Sequence, residues 1–300
     1  MKKILCLGNA SYDITIPVGD YPEENTKIRV NKKEECGGGS ASNAAYLLGK
    51  WKSNVYFCGT VGEDLYGNKI KEEFNSVNVK LDYFKQDKLK ETTTSYVIAN
   101  IDEGSRTILV HQKEDTESNI DIMEDFDILL IDGHEPTLSK KIIESGKIKH
   151  SIIDASRNKP EIIELSKMVD YLICSKNFAE NYTGIEINIE DNTTILEIYG
   201  IMKKNFNNNI IITLGEHGCL YSIENKIKIM PSLKMEAIDS TGAGDIFHGA
   251  FAYALGCGYD FEDCLRISTI AGALSVIKIG SRNSVPNLED VLEIFEKRNG

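Results

Sequence analysis

The sequence predicts one α/β domain over residues 1–300, with a doubly wound, mostly parallel sheet flanked by helices. It also predicts a small β-sheet lid formed by residues of about 12–34 and 92–111. Three observations carry this reading. Short apolar runs alternate with helical patterns along most of the chain, as in parallel βαβ units covered on both faces. Two segments break that rhythm with polar-alternating strands that no helical pattern covers. No internal repeat, low-complexity stretch or Pro/Gly linker divides the chain, and a chain of this length buries roughly three-quarters of its unfolded surface.

Bulk charge narrows the function before any motif is read. The formal net charge is -12, from 34 basic against 46 acidic residues. Such a balance opposes long-range attraction to nucleic acid or to an anionic membrane, so neither is an expected partner. An anionic small substrate then needs local help from helix entrances, a metal ion or a few basic side chains. The opening MKKILCLG is too short for a secretory leader, and no apolar run approaches the ~20 residues of a membrane span. Seven cysteines are scattered without a C-x-x-C pair, and five histidines are isolated in sequence. Disulfide scaffolds and structural zinc are therefore poor readings, and a reducing cytoplasm is the expected compartment.

The elements follow in chain order. KILCLG (3–8) is the first strand, and residues 12–34 begin the lid as alternating strands. CGGGSASNAAYLLG (36–49) is a glycine turn feeding a helix, with Ser40 or Ser42 as the expected cap and Asn43 in the first turn. One reading of Gly38 and Gly39 is structural. The other is close backbone approach to a polyhydroxy ligand, with the Asn43 amide both donating to and accepting from hydroxyls.

VYFCGT (55–60) is a strand, and GEDLYGNK (62–69) starts like a phosphate-binding loop. Asn68 stands where that loop needs lysine and Lys69 where it needs Ser or Thr, so the reading is rejected. A helix is expected over 66–77. Residues 92–111 form the second lid segment around an Asp-Glu-Gly-Ser hairpin turn. DILLID, SIIDAS, YLICS and NIIITLG read as further apolar strands, with a helix over 192–206. In such sheets ligands sit beyond the carboxyl ends of the strands.

From Asp239 onward the chain reads as largely helical. IDSTGAGDIFHGAFAYAL (238–255) places Ile246, Phe247, Ala250, Phe251, Ala254 and Leu255 on a buried helix face. Gly242, Ala243 and Gly244 form the entrance of that helix, and Asp245 lies in its first turn. A helix entrance carries unpaired N–H groups and partial positive charge, which suits an anion. The carboxylate beside it is either a cap or a reacting group. The G-x-G in this stretch is a weak dinucleotide fingerprint, because it lies far from the first strand.

Taken together, GG-x-A-x-N-x-A near residue 40 and D-S-T-G-A-G-D near residue 240 resemble the paired signatures of the ribokinase-like (PfkB-type) carbohydrate kinases. The resemblance spans essentially the whole chain and implies a ribokinase-like fold. It also implies ATP-dependent phosphorylation of a sugar hydroxyl with Mg2+, and an optional K+. Asp245 is then the base on the substrate hydroxyl. The N–H groups of Gly242, Ala243 and Gly244 hold the transferring phosphate. The helix dipole would keep Asp245 ionised and make it an indifferent base, which suffices for a loose transition state.

The same resemblance assigns Asp13 in GNASYD, with Ser11, to the sugar, together with Gly38, Gly39 and Asn43. Asn177 and Glu180 form an N-x-x-E element serving magnesium through water and the phosphates. Thr213, Gly215 and Gly218 belong to the nucleotide strand and turn. Asp239, Thr241, Gly280 and Ser284 fall where many members bind a monovalent cation.

Ser11 stands where ribokinase carries asparagine, which counts against ribose. The lid segments are similar to the ketohexokinase branch, which implies that Arg106 leans toward the ligand and that lids pair in a homodimer. Asn25 and Ser40 depart from that branch at two contact positions. The alternatives left open are a nucleoside kinase of the same fold and a non-catalytic sugar-binding protein. A nicotinamide oxidoreductase would need a glycine fingerprint after the first strand, where only Gly8 stands.

Overall fold

The computed structural model describes residues 2–112 and 118–299. Its large sheet contains β1 (Lys3–Leu7), β4 (Asn54–Gly62), β5 (Lys80–Asp87), β8 (Phe126–Ile131) and β9 (Ile148–Ala155). It continues through β10 (Tyr171–Ser175), β11 (Asn209–Thr213), β12 (Cys219–Ile223) and β13 (Lys226–Met230). The order is β13-β12-β11-β10-β9-β8-β1-β4-β5. Pairing is parallel from β5 through β11 and antiparallel only at the β11–β12 and β12–β13 edge.

Strand alternation splits the core into two layers. Ile4 and Cys6 of β1 face one layer, and Leu5 and Leu7 face the other. The first layer is covered by α1 (Ser40–Lys50), α2 (Leu65–Ser76), α7 (Ala243–Cys257), α8 (Phe261–Leu274) and α9 (Leu288–Asn299). The second is covered by α3 (Pro136–Glu144), α4 (Pro160–Met168), α5 (Lys176–Thr183) and α6 (Asn192–Asn205). This is the helix-on-both-faces architecture that continuous apolar strands require.

The four-stranded second sheet runs β3 (Glu34–Gly38), β2 (Ser11–Val18), β6 (Thr93–Asn100), β7 (Ser105–His111). Residues 12–34 are not strand throughout. β2 ends at Val18, residues 19–33 form an irregular exposed loop, and β3 returns antiparallel with Asp13 opposite Cys36. Asp20, Pro22 and the Glu-Glu-Asn stretch of that loop disfavour strand. Contrary to the expectation of uncovered strands, the sheet is not bare of helix. Tyr66 of α2 stacks on Tyr12 with ring centroids 4.8 Å apart, and Glu73 of α2 accepts from the Gly37 N–H.

Helix ends differ from expectation in one instructive place. The residue at the N-cap of α1 is Gly39, at φ 92°, with no side-chain cap bond. Ser42 is instead one turn inside, where its hydroxyl accepts from the Arg282 guanidinium. A Cβ on Gly39 would stand 2.5 Å from the Asn9 carbonyl oxygen, so strand-end backbone passes directly against the turn. Among the described residues no helix is long and apolar enough to cross a membrane.

Candidate active site

Two helices bring the two glycine signatures together. α1 and α7 pack side by side, and Gly249 permits it, because a Cβ there would lie 3.1 Å from the Ala44 Cα. That contact sets Asn43 level with Asp245, and the Asn43 Nδ2 donates to Asp245 Oδ2 at 2.7 Å. The Asn43 Oδ1 is buried without a protein partner, which leaves one amide acceptor for a ligand hydroxyl. Gly242 caps α7 in the left-handed region at φ 81°, and a Cβ there would press to 2.8 Å from Ser281. No larger residue fits that entrance.

Asp245 is not the indifferent base that the helix dipole suggested. Burial pushes its pKa up to about 7, and the neighbouring Asp154 carboxylate adds to the rise. Asn43, His248 and the Ser40 hydroxyl pull the other way without cancelling it. Desolvation and a like charge thus outweigh the dipole. A carboxylate so placed accepts a proton readily near neutral pH, which is where a general base works best.

Asp13 occupies a second pole of the site, at 6% exposure. Burial raises its pKa, offset in part by Ser95, Ser11, Arg282 and Ser281. Ser11 donates to its Oδ1 at 3.2 Å. Gly38 runs past the carboxyl so closely that a Cβ would lie 2.2 Å from Oδ2. Behind this turn, Arg282 is 3% exposed and pairs with Glu73 at 2.6 Å, and its guanidinium stacks over Tyr46 and Phe74. Glu73 in turn takes the Gly37 N–H at 3.0 Å, so Arg282 braces the glycine turn from below.

On the other side of the α7 entrance lies a cavity of ≈ 870 Å³. Its lining includes Thr213, Gly215 and Gly218 from the β11 turn, and Ala243, Gly244 and Phe247 from α7. Gly215 adopts φ 60° with open space where a Cβ would stand, whereas a Cβ on Gly218 would lie 1.9 Å from the Met230 carbonyl oxygen. Asn177 and Glu180 lie on α5, capped by Ser175. Asn177 is exposed, and Glu180 Oε1 accepts from the Ile187 N–H at 2.8 Å. Among the described residues no three His, Cys, Asp or Glu side chains converge on one point. A magnesium ion that rides on nucleotide phosphates with one or two protein carboxylates needs no such cage.

Asp239, Thr241, Gly280 and Ser284, the residues expected to hold a cation, are drawn into one buried knot. Asp239 accepts from the Thr241 N–H and hydroxyl at 2.9 and 2.6 Å, and from the Gly280 N–H at 2.9 Å. The Ser284 N–H reaches the Gly280 carbonyl at 3.1 Å. An anionic oxygen beside a hydroxyl and loop carbonyls is the donor set a hard monovalent cation takes. Arg106, on β7, reaches not toward Asp13 but to the Ser240 hydroxyl in the D-S-T-G loop, tying the lid hairpin to the nucleotide side.

Sequence reading missed four groups: Asp132, Asp154, His248 and Arg282. Asp132 and Asp154 end the apolar runs DILLID and SIIDAS, and a carboxylate terminating an apolar strand was the available signal. Asp132 is 4% exposed and holds the first-strand turn by accepting from the Asn9 and Ala41 N–H groups at 2.9 and 3.2 Å. The histidines are not isolated in space. His134 lies 3.2 Å from Asp132 and His248 3.5 Å from Asp154.

An anion-binding helix entrance, a tuned carboxylate and two flanking polar sites define a phosphotransferase acting on an alcohol. The model of the pfkB family carbohydrate kinases matches residues 1–288, and the chain belongs to that family. It is 26% identical to the ribokinase of Bacillus subtilis, over 98% of this chain and 100% of that one. It is 24% identical to the nucleoside kinase of Methanocaldococcus jannaschii, over 99% and 98%. The Arabidopsis thaliana ribokinase structure, complexed with ribose and ATP, superposes at a TM-score of 0.83 with 24% identity, covering 98% and 99% of the two chains.

Proposed function

We propose that this ATP-dependent carbohydrate kinase phosphorylates a hydroxyl of a small uncharged sugar, with Asp245 as base and the 242–244 N–H groups as the cradle of the moving phosphoryl. The observation that carries this reading is the Asn43–Asp245 bond of 2.7 Å, beside an ≈ 870 Å³ cavity lined by Gly244 and by the Thr213–Gly218 turn. ATP fills that cavity with its γ-phosphoryl at the α7 entrance, and the sugar lies between Asp245 and Asp13. The Asn43 oxygen and the Ser11 and Ser95 hydroxyls supply further neutral contacts. Among the described residues, the guanidinium nearest the Asp13 turn, Arg282, is committed to Glu73 and Ser42. That favours a neutral polyol over a sugar phosphate.

Magnesium, when bound, would neutralise charge on the β- and γ-phosphates, and Glu180 would organise its water shell. Asp239, Thr241, Gly280 and Ser284 would hold a monovalent cation beneath the phosphate loop. A nucleoside kinase is the second reading, supported by the full-length similarity to the Methanocaldococcus jannaschii enzyme. One experiment separates the two: ADP release with ATP and magnesium over ketoses, aldoses and nucleosides. Turnover with a free sugar and not with nucleosides is expected, and no ADP above background with any of them would defeat the kinase reading.

The lid sheet also supports a homodimer. β7 is an exposed edge strand, and Tyr96, Ile108, Leu109 and Val110 on β6 and β7 are 42–58% exposed. Uncovered apolar edges recruit a partner strand, and a second lid is the self-complementary choice. Light scattering on Leu109→Lys should then show a monomer where the unmodified chain is a dimer. Residence in the cytoplasm agrees with seven free cysteines among the described residues, six of them buried.

A further inference from the structure

His248 lies on α7 one turn after Gly244 and is 3% exposed. Its Nδ1 is 2.5 Å from the Gly244 carbonyl oxygen, and its Nε2 is 3.3 Å from the Ile173 carbonyl oxygen. Carbonyls only accept. A neutral imidazole has one N–H, so either tautomer would point a lone pair at an oxygen lone pair. Only the doubly protonated ring satisfies both contacts.

A buried cation needs a counter-charge, and one is present. Asp154 Oδ2 stands 3.5 Å from His248 Nδ1, itself 6% exposed. Strand alternation explains its placement, since Ile152 of β9 lies in the core layer under α7 and Asp154, two residues on, points the same way. Asp154 is also the register partner of Ile173 on β10, so acid and anchoring carbonyl arrive together. The Ser40 hydroxyl, with one proton to donate, lies within reach of both Asp154 and Asp245 and favours the ionised form of whichever accepts it.

We propose that His248 is a buried imidazolium paired with Asp154, and that this pair is the positioning and charge-setting element for Asp245 above it. The kinetic part rests on the reading of Asp245 as the base, whereas the charge of His248 does not. Asp154 repels a charged Asp245, and the His248 cation offsets that repulsion. The other titratable groups around the pair are few. Asp132 and His134 stand at the end of β8, and the Cys6 and Cys174 thiols of β1 and β10 are held neutral by burial. The Cys264 thiol of α8 is likewise pushed up to about 12 by burial. α1 contributes only the Ser40 hydroxyl and Asn43 amide.

The test has two arms on the full chain. Nitrogen-15 NMR of histidine-labelled protein reads the ring directly. One imidazole should show both N–H groups at pH 7, and that signal should disappear in His248→Gln. The second arm is the pH profile of kcat/KM for the sugar. Removing the repelling carboxylate in Asp154→Asn should move the acid limb down by roughly 1 pH unit, and removing the cation in His248→Gln should move it up by a similar amount. A purely structural pair would lower the plateau in both variants without opposite displacements. A His248 ring with a single N–H at pH 7, or limbs that stay fixed or move together, overturns the proposal. If no substrate turns over, the kinase reading fails while the NMR arm still decides the charge of His248.

Discussion

Gly38→Ala is the sharpest test of how the glycine turn serves the sugar. Gly38 does not sit in the left-handed region, so alanine costs its backbone nothing special. The whole effect falls on Asp13. A Cβ at residue 38 would lie 2.2–2.3 Å from all three atoms of the Asp13 carboxyl group, more than 1 Å inside van der Waals contact by the usual ~3.5 Å separation. The backbone of Asp13 cannot retreat, being paired to Cys36 on one side and Ser95 on the other. Its side chain must therefore swing out of the position in which we propose that it binds the sugar. Losing one or two charge-assisted hydrogen bonds removes about 2–4 kcal/mol, roughly 30- to 1000-fold in kcat/KM for the sugar. The KM for ATP should stay within about twofold, because the nucleotide cavity does not include residue 38. A coupled ADP assay with each substrate varied in turn measures both. An unchanged sugar KM, or equal rises for sugar and ATP, would refute the reasoning.

Three other substitutions probe separate parts of the site. Asp245→Asn should keep the fold and sugar affinity yet lose turnover by ~10² or more, and near-normal turnover would reduce Asp245 to a helix cap. Because Asp245 is raised to about 7, its base form is lost as pH falls through that value, so wild-type kcat/KM should decline below pH 7; a decline deferred to the ordinary carboxylate range near 4 would contradict the burial argument. Arg282→Ala leaves Glu73 and Ser42 without a buried partner and should cost about 3 kcal/mol in urea unfolding, with an effect under 1 kcal/mol showing that the brace is dispensable. Arg106→Ala frees the hairpin from Ser240, and faster proteolysis near residues 101–104 with a few-fold higher sugar KM should follow; unchanged values for both would make the contact incidental.

Much of this molecule was readable in order along the chain. Apolar strands such as DILLID and SIIDAS announce a parallel sheet because period-two burial on both faces leaves few polar positions. The glycines at 38, 39 and 242 were legible because close backbone approach admits no other residue. The loop at 19–33, the cap at Gly39 and the helix brace on the lid were not, since each depends on what another segment presses against.

What the sequence determined by itself is local: which residues form strands and helices, and that Asp245 follows a glycine entrance. What only the tertiary structure decided is electrostatic. The Asp245 carboxyl holds its proton more tightly than an ordinary aspartate because chain folding desolvates it and sets Asp154, ninety-one positions earlier, near it. Charges act through space in a low-dielectric interior, and distance along the chain carries no trace of that separation.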